Sequence, residues 1–253
     1  MVRGLERFRD HFAGYSENYV IIGGTACSLS MDEAGLDFRV TKDLDIVLCV
    51  EALSAEFGRA FWNFIHEGGY KNQQKSTDRK LFYRFYDPED DSYPYMLELF
   101  SRLPDVLRST GESHLTPIPM EEEVSSLSAI LLDPDYYQLI HSSKEESNGV
   151  KICSPECLVP LKAKAWLDMK QRQEQGRHVD ERSIRKHRND IFRIFQIVRQ
   201  DRIPSIPNSI RKDLEEFISV VRSEDSIDLK ALGLRRIGLE ELLNELEKLY
   251  GLN

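Results

Sequence analysis

The chain has 253 residues, of which 41% are apolar and 30% are charged, so it is long and apolar enough to fold around a core of its own. Its net charge of −9 argues against a generally basic protein that binds nucleic acid over its whole surface. No stretch approaches the roughly 18 apolar residues of a membrane span, and no apolar signal segment follows the N-terminus. We therefore expect a cytoplasmic protein that has no membrane contact.

The charges are unevenly distributed along the chain. Residues 151–202 contain 13 Lys and Arg against 7 Asp and Glu, a balance of +6 that leaves −15 for the remainder. A surface that faces phosphate and an ordinary set of solvated helix faces both fit this pattern.

The four cysteines, at positions 27, 49, 153 and 157, do not form paired CxxC units, which argues against a zinc cage. We expect free thiols, with a metal or redox role for Cys153 and Cys157 as the less favoured alternative.

The first half of the chain alternates predicted helices and strands. A helix is predicted at 4–15 and another at 52–67, and a third starts at the glycine pair that ends the strand 19–24. Further strands are predicted at 43–50, 80–87, 93–101 and 124–132. A short helix after Asp133-Pro134, a polar turn at 144–149 and a short strand at 150–154 complete this half.

The second half has only helical patterns. Long helices are predicted at 155–176 and 181–200, and shorter ones around 208–222, 228–234 and 238–249. The sequence therefore predicts an α+β protein with an α/β domain at 1–153 and a helical domain at 154–253.

The glycine pair Gly23-Gly24 follows an apolar strand and precedes a helix. Glycine lets the backbone approach a ligand closely because it has no Cβ. Amides at the start of the following helix favour a phosphate group. Such a pair is weak evidence by itself, because ordinary tight turns also produce it.

Asp43 and Asp45 form a D-x-D pair at the start of an apolar strand. Residues i and i+2 of a strand project from the same face, so the two carboxylates point the same way. Like charges held together are costly unless a cation lies between them, and Mg²⁺ prefers such oxygen ligands. A solvated strand end is the alternative.

Glu98 is a single acid between leucines in the predicted strand 93–101. A third carboxylate beside the aspartate pair could complete a metal site or act as a general base. The alternative is a salt bridge to Arg79, Arg84 or Arg102, since an acid in an apolar strand needs a partner.

The segment IIGGTACSLSMDEAGLDFRVTKDLDIVL resembles the GG…D-x-D signature of the nucleotidyltransferase superfamily of the DNA polymerase β type. The longer pattern, onto which Arg39, Thr41, Asp43 and Asp45 fall, is similar to the AbiEii-like toxin branch of type IV toxin–antitoxin systems. The resemblance implies a mixed β-sheet with flanking helices, followed by a helical domain. In this chain the third acid is Glu98, where many relatives have aspartate.

The resemblance extends to two segments of the second half, CLVPLKAKAWLDMKQRQEQG and KHRNDIFRI. It implies that Lys162, or less well Lys164, contacts a triphosphate, and that Lys186 and Asp190 lie on a helix facing the nucleotide.

The implied reaction is in-line attack of an acceptor hydroxyl on the α-phosphorus of an NTP, with pyrophosphate leaving. Asp43, Asp45 and Glu98 would be the catalytic and metal-binding acids for Mg²⁺ or Mn²⁺, and residues 23–25 would cradle the phosphates. The toxin branch implies an RNA acceptor and an antitoxin partner. A small-molecule acceptor of the antibiotic type, and a nucleotide-binding module without transfer activity, are the alternatives.

Overall fold

The chain is described by a computed structural model over residues 2–49, 54–77, 80–101, 133–223 and 227–252. Its helices are α1 Leu5–His11, α2 Gly23–Glu33, α3 Ala55–Glu67, α4 Pro134–Ser142, α5 Pro155–Glu174, α6 Glu181–Phe195, α7 Asn208–Arg222 and α8 Leu239–Tyr250. Its strands are β1 Tyr19–Ile22, β2 Asp43–Leu48, β3 Lys71–Thr77, β4 Lys80–Tyr86, β5 Met96–Ser101, β6 Lys144–Ser147 and β7 Val150–Cys153. None of the helices described combines the length and apolarity needed to cross a membrane.

The seven strands form one mixed sheet in the order β3-β4-β5-β2-β1-β7-β6. Strand β2 runs antiparallel to β1 and parallel to β5, and β1 runs parallel to β7. The predicted α+β class with a mixed sheet and flanking helices is confirmed.

The central strand β2 is polar at its start and apolar at its end. Leu44 and residues 46–48 are buried, whereas Asp43 and Asp45 are half-buried. On one side of the sheet, Phe61 of α3 makes an edge contact with Phe85 of β4, with ring centroids 5.5 Å apart. The apolar positions thus fix the strand in the core while the two aspartates stay accessible.

The described residues divide into two compact units. The first unit contains the described residues up to 101 together with 144–153, and the second contains 133–143 together with the described residues from 154 onward. The sequence prediction placed a single boundary after residue 153. The structure differs because α4 packs within the helical unit, where the Tyr136 hydroxyl donates to Asp213 Oδ2 at 2.9 Å.

Two local predictions need correction, and one strand was missed. The segment predicted as a polar turn contains strand β6, and only Asn148-Gly149, both with positive φ, form the turn. The pattern at 228–234 forms a single 3-10 turn, Lys230–Leu232. Strand β3 was not predicted at all. The strand predicted at 124–132 lies outside the described residues.

All four cysteines are buried and carry thiols rather than disulfide bonds.

Candidate active site

Gly23 forms the junction between β1 and α2. It is the first residue of the helix, has a φ of 67°, and follows Ile22, which pairs with Asp45 across the β1–β2 ladder. A Cβ at position 23 would overlap the Asp45 carboxylate. Glycine is therefore required here both by the backbone conformation and by the close approach of an acidic side chain.

Gly24 lies against two of the side chains predicted from the sequence. A Cβ on Gly24 would be 2.8 Å from Thr41 Oγ1 and 3.1 Å from Arg39 Nη2. The first turn of α2 has no side-chain cap from Ile22. A guanidinium group and the amides of a helix N-terminus therefore meet at one place, an arrangement that favours an anion.

Thr25 is fully buried, and its hydroxyl donates to the carbonyl oxygen of Asp43 at 2.7 Å. The side chain of Thr25 thus ties the start of α2 to the start of β2. The Thr25 hydroxyl thus already donates within the protein. The phosphate contact predicted for this residue would have to come from its backbone amide.

Asp43 and Asp45 project from the same face of β2, and Asp45 pairs in register with Glu98 of the parallel strand β5. Glu98 is buried, with 7% of its surface exposed, and Asp45 makes a side-chain hydrogen bond with it. The sheet therefore brings together the three acids that the sequence singled out.

Glu98 is also paired with Arg84 of β4, its partner in the antiparallel β4–β5 ladder. Arg84 donates from Nε at 2.8 Å and from Nη2 at 2.6 Å, both to Glu98 Oε1. The salt bridge weighed as the alternative for Glu98 is thus present. The other two arginines considered for it, Arg79 and Arg102, lie outside the described residues.

The electrostatics of Glu98 reflect this mixed environment. Burial raises the pKa of the Glu98 carboxyl, Arg84 and the hydrogen bond with Asp45 act to lower it, and the charge of Asp43 adds to the rise. The net direction is upward. Burial is the largest of these effects and outweighs Arg84.

The donor set of this cluster fits a hard divalent cation. Carboxylate oxygens are the preferred protein ligands of Mg²⁺, which is held by one or two carboxylates together with phosphate oxygens and water. Across the described part of the chain, no three His, Cys, Asp or Glu side chains are arranged as a common metal-ligand set. Asp43 and Asp45 offer carboxylate oxygens from one face of β2, and Glu98 Oε1 accepts two hydrogen bonds from Arg84.

The remaining predicted residues lie in the second unit. Lys162 on α5 donates to Asp190 Oδ2 on α6 at 2.9 Å, and both side chains are buried. Arg193 Nη1 is 3.5 Å from Asp190 Oδ1. Lys186 is half-buried on α6. Lys164 Nζ lies 2.7 Å from Asp213 Oδ1.

The structure thus groups eight of the predicted residues within the first unit: Gly23, Gly24, Thr25, Arg39, Thr41, Asp43, Asp45 and Glu98. It groups Lys162 with Asp190 in the second. Arg193 was missed, and its signal was its position three residues after Asp190 on a helix. Arg84 was one of three candidates, and the β4–β5 register that selects it is not visible in the sequence.

The solved structures to which this chain is similar include two nucleotidyltransferase-related proteins. An antigenic nucleotidyltransferase-like protein from Paracoccidioides brasiliensis is 16% identical, with 93% of this chain and 89% of that chain covered and a TM-score of 0.43. MenT4, a nucleotidyltransferase toxin from Mycobacterium tuberculosis H37Rv, is 16% identical, with coverages of 98% and 82% and a TM-score of 0.28. The sequence matches no family model and no curated protein. Since both TM-scores are below 0.5, the function has to be inferred from the residues of this chain.

Proposed function

We propose that this chain is a metal-dependent nucleotidyltransferase that transfers NMP from an NTP to an acceptor hydroxyl. The observation that carries the proposal is the position of the Asp45 carboxylate against Gly23 at the first turn of α2. The acidic side chains that would bind a cation are therefore adjacent to the helix N-terminus that would bind an anion. A metal-bound triphosphate requires both features in one place.

The anionic part of the substrate would be held by groups of the first unit. The backbone amides of Gly23, Gly24 and Thr25 would donate to phosphate oxygens, and Arg39 would add a charged, forked donor. Thr41, whose hydroxyl lies beside Gly24, would supply a further hydrogen bond. These contacts fix the position of the phosphates relative to the two aspartates, which is the main requirement for in-line transfer.

Asp43 and Asp45 would hold Mg²⁺ or Mn²⁺ through their carboxylate oxygens, because they share one face of β2 and remain half-buried. When bound, the cation neutralises charge on the reacting phosphate and its leaving group. The tie from Thr25 to the Asp43 carbonyl keeps the strand and the helix start at a fixed distance.

The predicted role of Lys162 as a triphosphate contact remains part of the proposal. An ammonium group has three N–H donors, and Asp190 accepts one of them at 2.9 Å, so the buried ion pair is compatible with a phosphate contact. Lys186 and Asp190 would lie on the same nucleotide-facing helix.

An RNA acceptor is the substrate that we favour. Helix α6 carries exposed Arg182 and Arg185 in a chain whose net charge is negative, and a basic helix face suits a phosphate backbone. A small-molecule acceptor and an antitoxin partner would have to be identified by experiment.

The decisive experiment incubates the protein with each α-³²P-labelled NTP, with Mg²⁺ or Mn²⁺, and with total RNA. We expect label in RNA with the wild type and none with the double variant D43N/D45N. The matched control, D87N/D91N, removes two exposed acids of the same unit that pair with Lys71 and Arg3. This control should retain full transfer.

Each other outcome has a defined meaning. Transfer that persists in D43N/D45N would contradict the proposal. Binding of NTP by a well-folded wild type, with no transfer to RNA or to a panel of hydroxyl-bearing small molecules, would favour a nucleotide-binding module. Label in a small molecule alone would keep the enzyme and reject the RNA acceptor.

A further inference from the structure

One side of helix α6 in the second unit carries cations and amides but no acid. Residues three or four apart lie on the same side of a helix. The positions that recur in this way along α6 and its C-cap are all exposed or half-buried: Arg182, Arg185, Lys186, Asn189, Arg193 and Gln196. We call these residues the α6 face. The other side of the helix packs into the core through Ile184, Ile191 and Ile194, which are buried.

The α6 face continues onto the segment that precedes helix α8. Gln196 Nε2 donates to the Leu232 carbonyl oxygen at 3.4 Å, and a Cβ on Gly233 would lie 3.5 Å from the same nitrogen. Arg235 and Arg236 follow closely in the chain, and both are exposed. Two further arginines are therefore attached next to the C-terminal end of α6.

Four arginines of this surface have no acidic partner. Elsewhere in the second unit, Arg172 pairs with Asp168 and Arg222 pairs with Glu240. Within the described residues no ion pair is formed by the exposed side chains of Arg182, Arg185, Arg235 and Arg236. A cation of this kind can neutralise a phosphate without first giving up an ion pair in the protein.

The composition of the α6 face favours nucleic acid over protein as the partner. The central part of a protein–protein interface is usually rich in aromatic side chains and poor in charge, and the α6 face has no aromatic or apolar member. Its arginines and its two amides, Asn189 and Gln196, are the side-chain types that donate to the phosphate oxygens of nucleic acids.

The length of the surface indicates a polymer. Arg182 and Gln196 are separated by about 21 Å along the helix axis, since an α-helix rises 1.5 Å per residue. In a duplex, each strand places a phosphate about every 3.4 Å, so this length corresponds to about six phosphates. A ligand that contacts the arginines at both ends therefore has to be much longer than one triphosphate.

We propose that the α6 face, together with Arg235 and Arg236, binds the phosphate backbone of the RNA acceptor. This inference rests on the proposed transfer of NMP to RNA and adds the surface that holds the substrate. Contacts to phosphates carry no sequence information, so the surface binds RNA of any sequence, and its affinity falls steeply with salt.

Fluorescence anisotropy with an unstructured 20-nucleotide RNA, measured without NTP over a series of salt concentrations, tests the surface independently of transfer. R182Q/R185Q and R235Q/R236Q should each weaken RNA binding by about 25-fold at 0.1 M salt. Each should also lower the slope of log affinity against log salt by about 1.4, since one contact to a single-stranded phosphate contributes about 0.7. All four arginines are exposed, so glutamine should leave the fold intact.

Two controls accompany these variants. K212Q/K248Q removes the same charge from two exposed lysines on α7 and α8, and should leave the affinity within about twofold of the wild type and the salt slope unchanged. A 4-nucleotide RNA should bind the wild type at least about 25-fold more weakly than the 20-nucleotide RNA, because it cannot contact both arginine pairs at once.

The outcomes separate the surface from the reaction. Unchanged RNA affinity in both arginine variants would overturn the proposal. Equal affinity for a 20-residue polyglutamate would also overturn it and would assign the surface to an acidic protein. If the arginine variants lose RNA binding but the wild type transfers NMP to no acceptor, the proposed function fails and the surface stands. If the wild type transfers NMP to a small molecule and the arginine variants bind RNA normally, only the surface fails.

Discussion

The acidic side chains of the two units differ in their burial and in their partners. In the first unit, Asp43, Asp45 and Glu98 lie together with Arg84, and two of the three acids are half-buried. In the second, Asp190 is fully buried and paired with Lys162 at 2.9 Å, with Arg193 at 3.5 Å from its other oxygen.

The difference lies in the charge balance. The Lys162–Asp190 pair is neutral without any ligand, as a buried ion pair has to be. In the carboxylate cluster, Asp43 and Asp45 lie beside Glu98 on the sheet, and a divalent cation would stabilise the ionised form of such closely spaced acids. We expect the first arrangement to contribute mainly to the stability of its unit and the second to cation binding.

The largest effect that we predict concerns the buried ion pair between Lys162 and Asp190. Lys162→Met removes one partner of the buried Asp190 carboxylate and should lower the free energy of unfolding by about 3–5 kcal/mol, the usual result of removing one partner of a buried pair. Urea unfolding followed by circular dichroism measures this change.

The double variant K162M/D190L is its control. Replacing both charges by apolar groups should recover most of the lost stability. If K162M loses NTP affinity while its stability is unchanged, Lys162 belongs with the binding groups, as the sequence resemblance implies, and the contrast between the two units is wrong.

A smaller effect is predicted for Gly23→Ala. Alanine at a φ of 67° costs about 1–2 kcal/mol, and its Cβ would also displace the Asp45 carboxylate. Because a shift of about 1 Å in a catalytic group can cost about 100-fold in rate, we expect transfer to fall by that factor. Labelled-NTP assays and urea unfolding measure the two effects separately.

Gly35→Ala is a matched control for this substitution. Gly35 has a φ of 69°, but a Cβ added there would meet no atom within 4 Å. The backbone strain is therefore the same, while the contact with Asp45 is missing. Equal losses of transfer in the two variants would show that strain, and not the position of Asp45, limits the reaction.

The sequence predicts most of the elements that form this site, because their signals are local. Strand β2 combines an apolar run with two acids at i and i+2, and α2 begins directly at the glycine pair. Strand β3, in contrast, has the polar sequence KNQQKST and no alternation of apolar residues. It forms a strand because it pairs with β4, and such pairing is not encoded locally.

The partners of the charged residues could not be predicted for the same reason. Glu98 and Arg84 are 14 residues apart, and only the β4–β5 register selects Arg84. Lys162 and Asp190 are 28 residues apart on two helices, so the sequence alone does not indicate that the lysine is buried. The sequence predicts which side chains carry charge, whereas long-range packing decides which charges are already neutralised.

The smallest effect that we predict concerns Thr25, which links the start of α2 to β2. Thr25→Val keeps the shape of the buried side chain but removes the donor to the Asp43 carbonyl, and should cost about 1 kcal/mol of unfolding free energy. Thr25→Ser keeps the hydroxyl and serves as the control. Because Asp43 is held partly by this bond, Mn²⁺ affinity should fall in the valine variant and be preserved in the serine variant. Unchanged Mn²⁺ affinity in the valine variant would show that this bond has no part in positioning Asp43 for a cation.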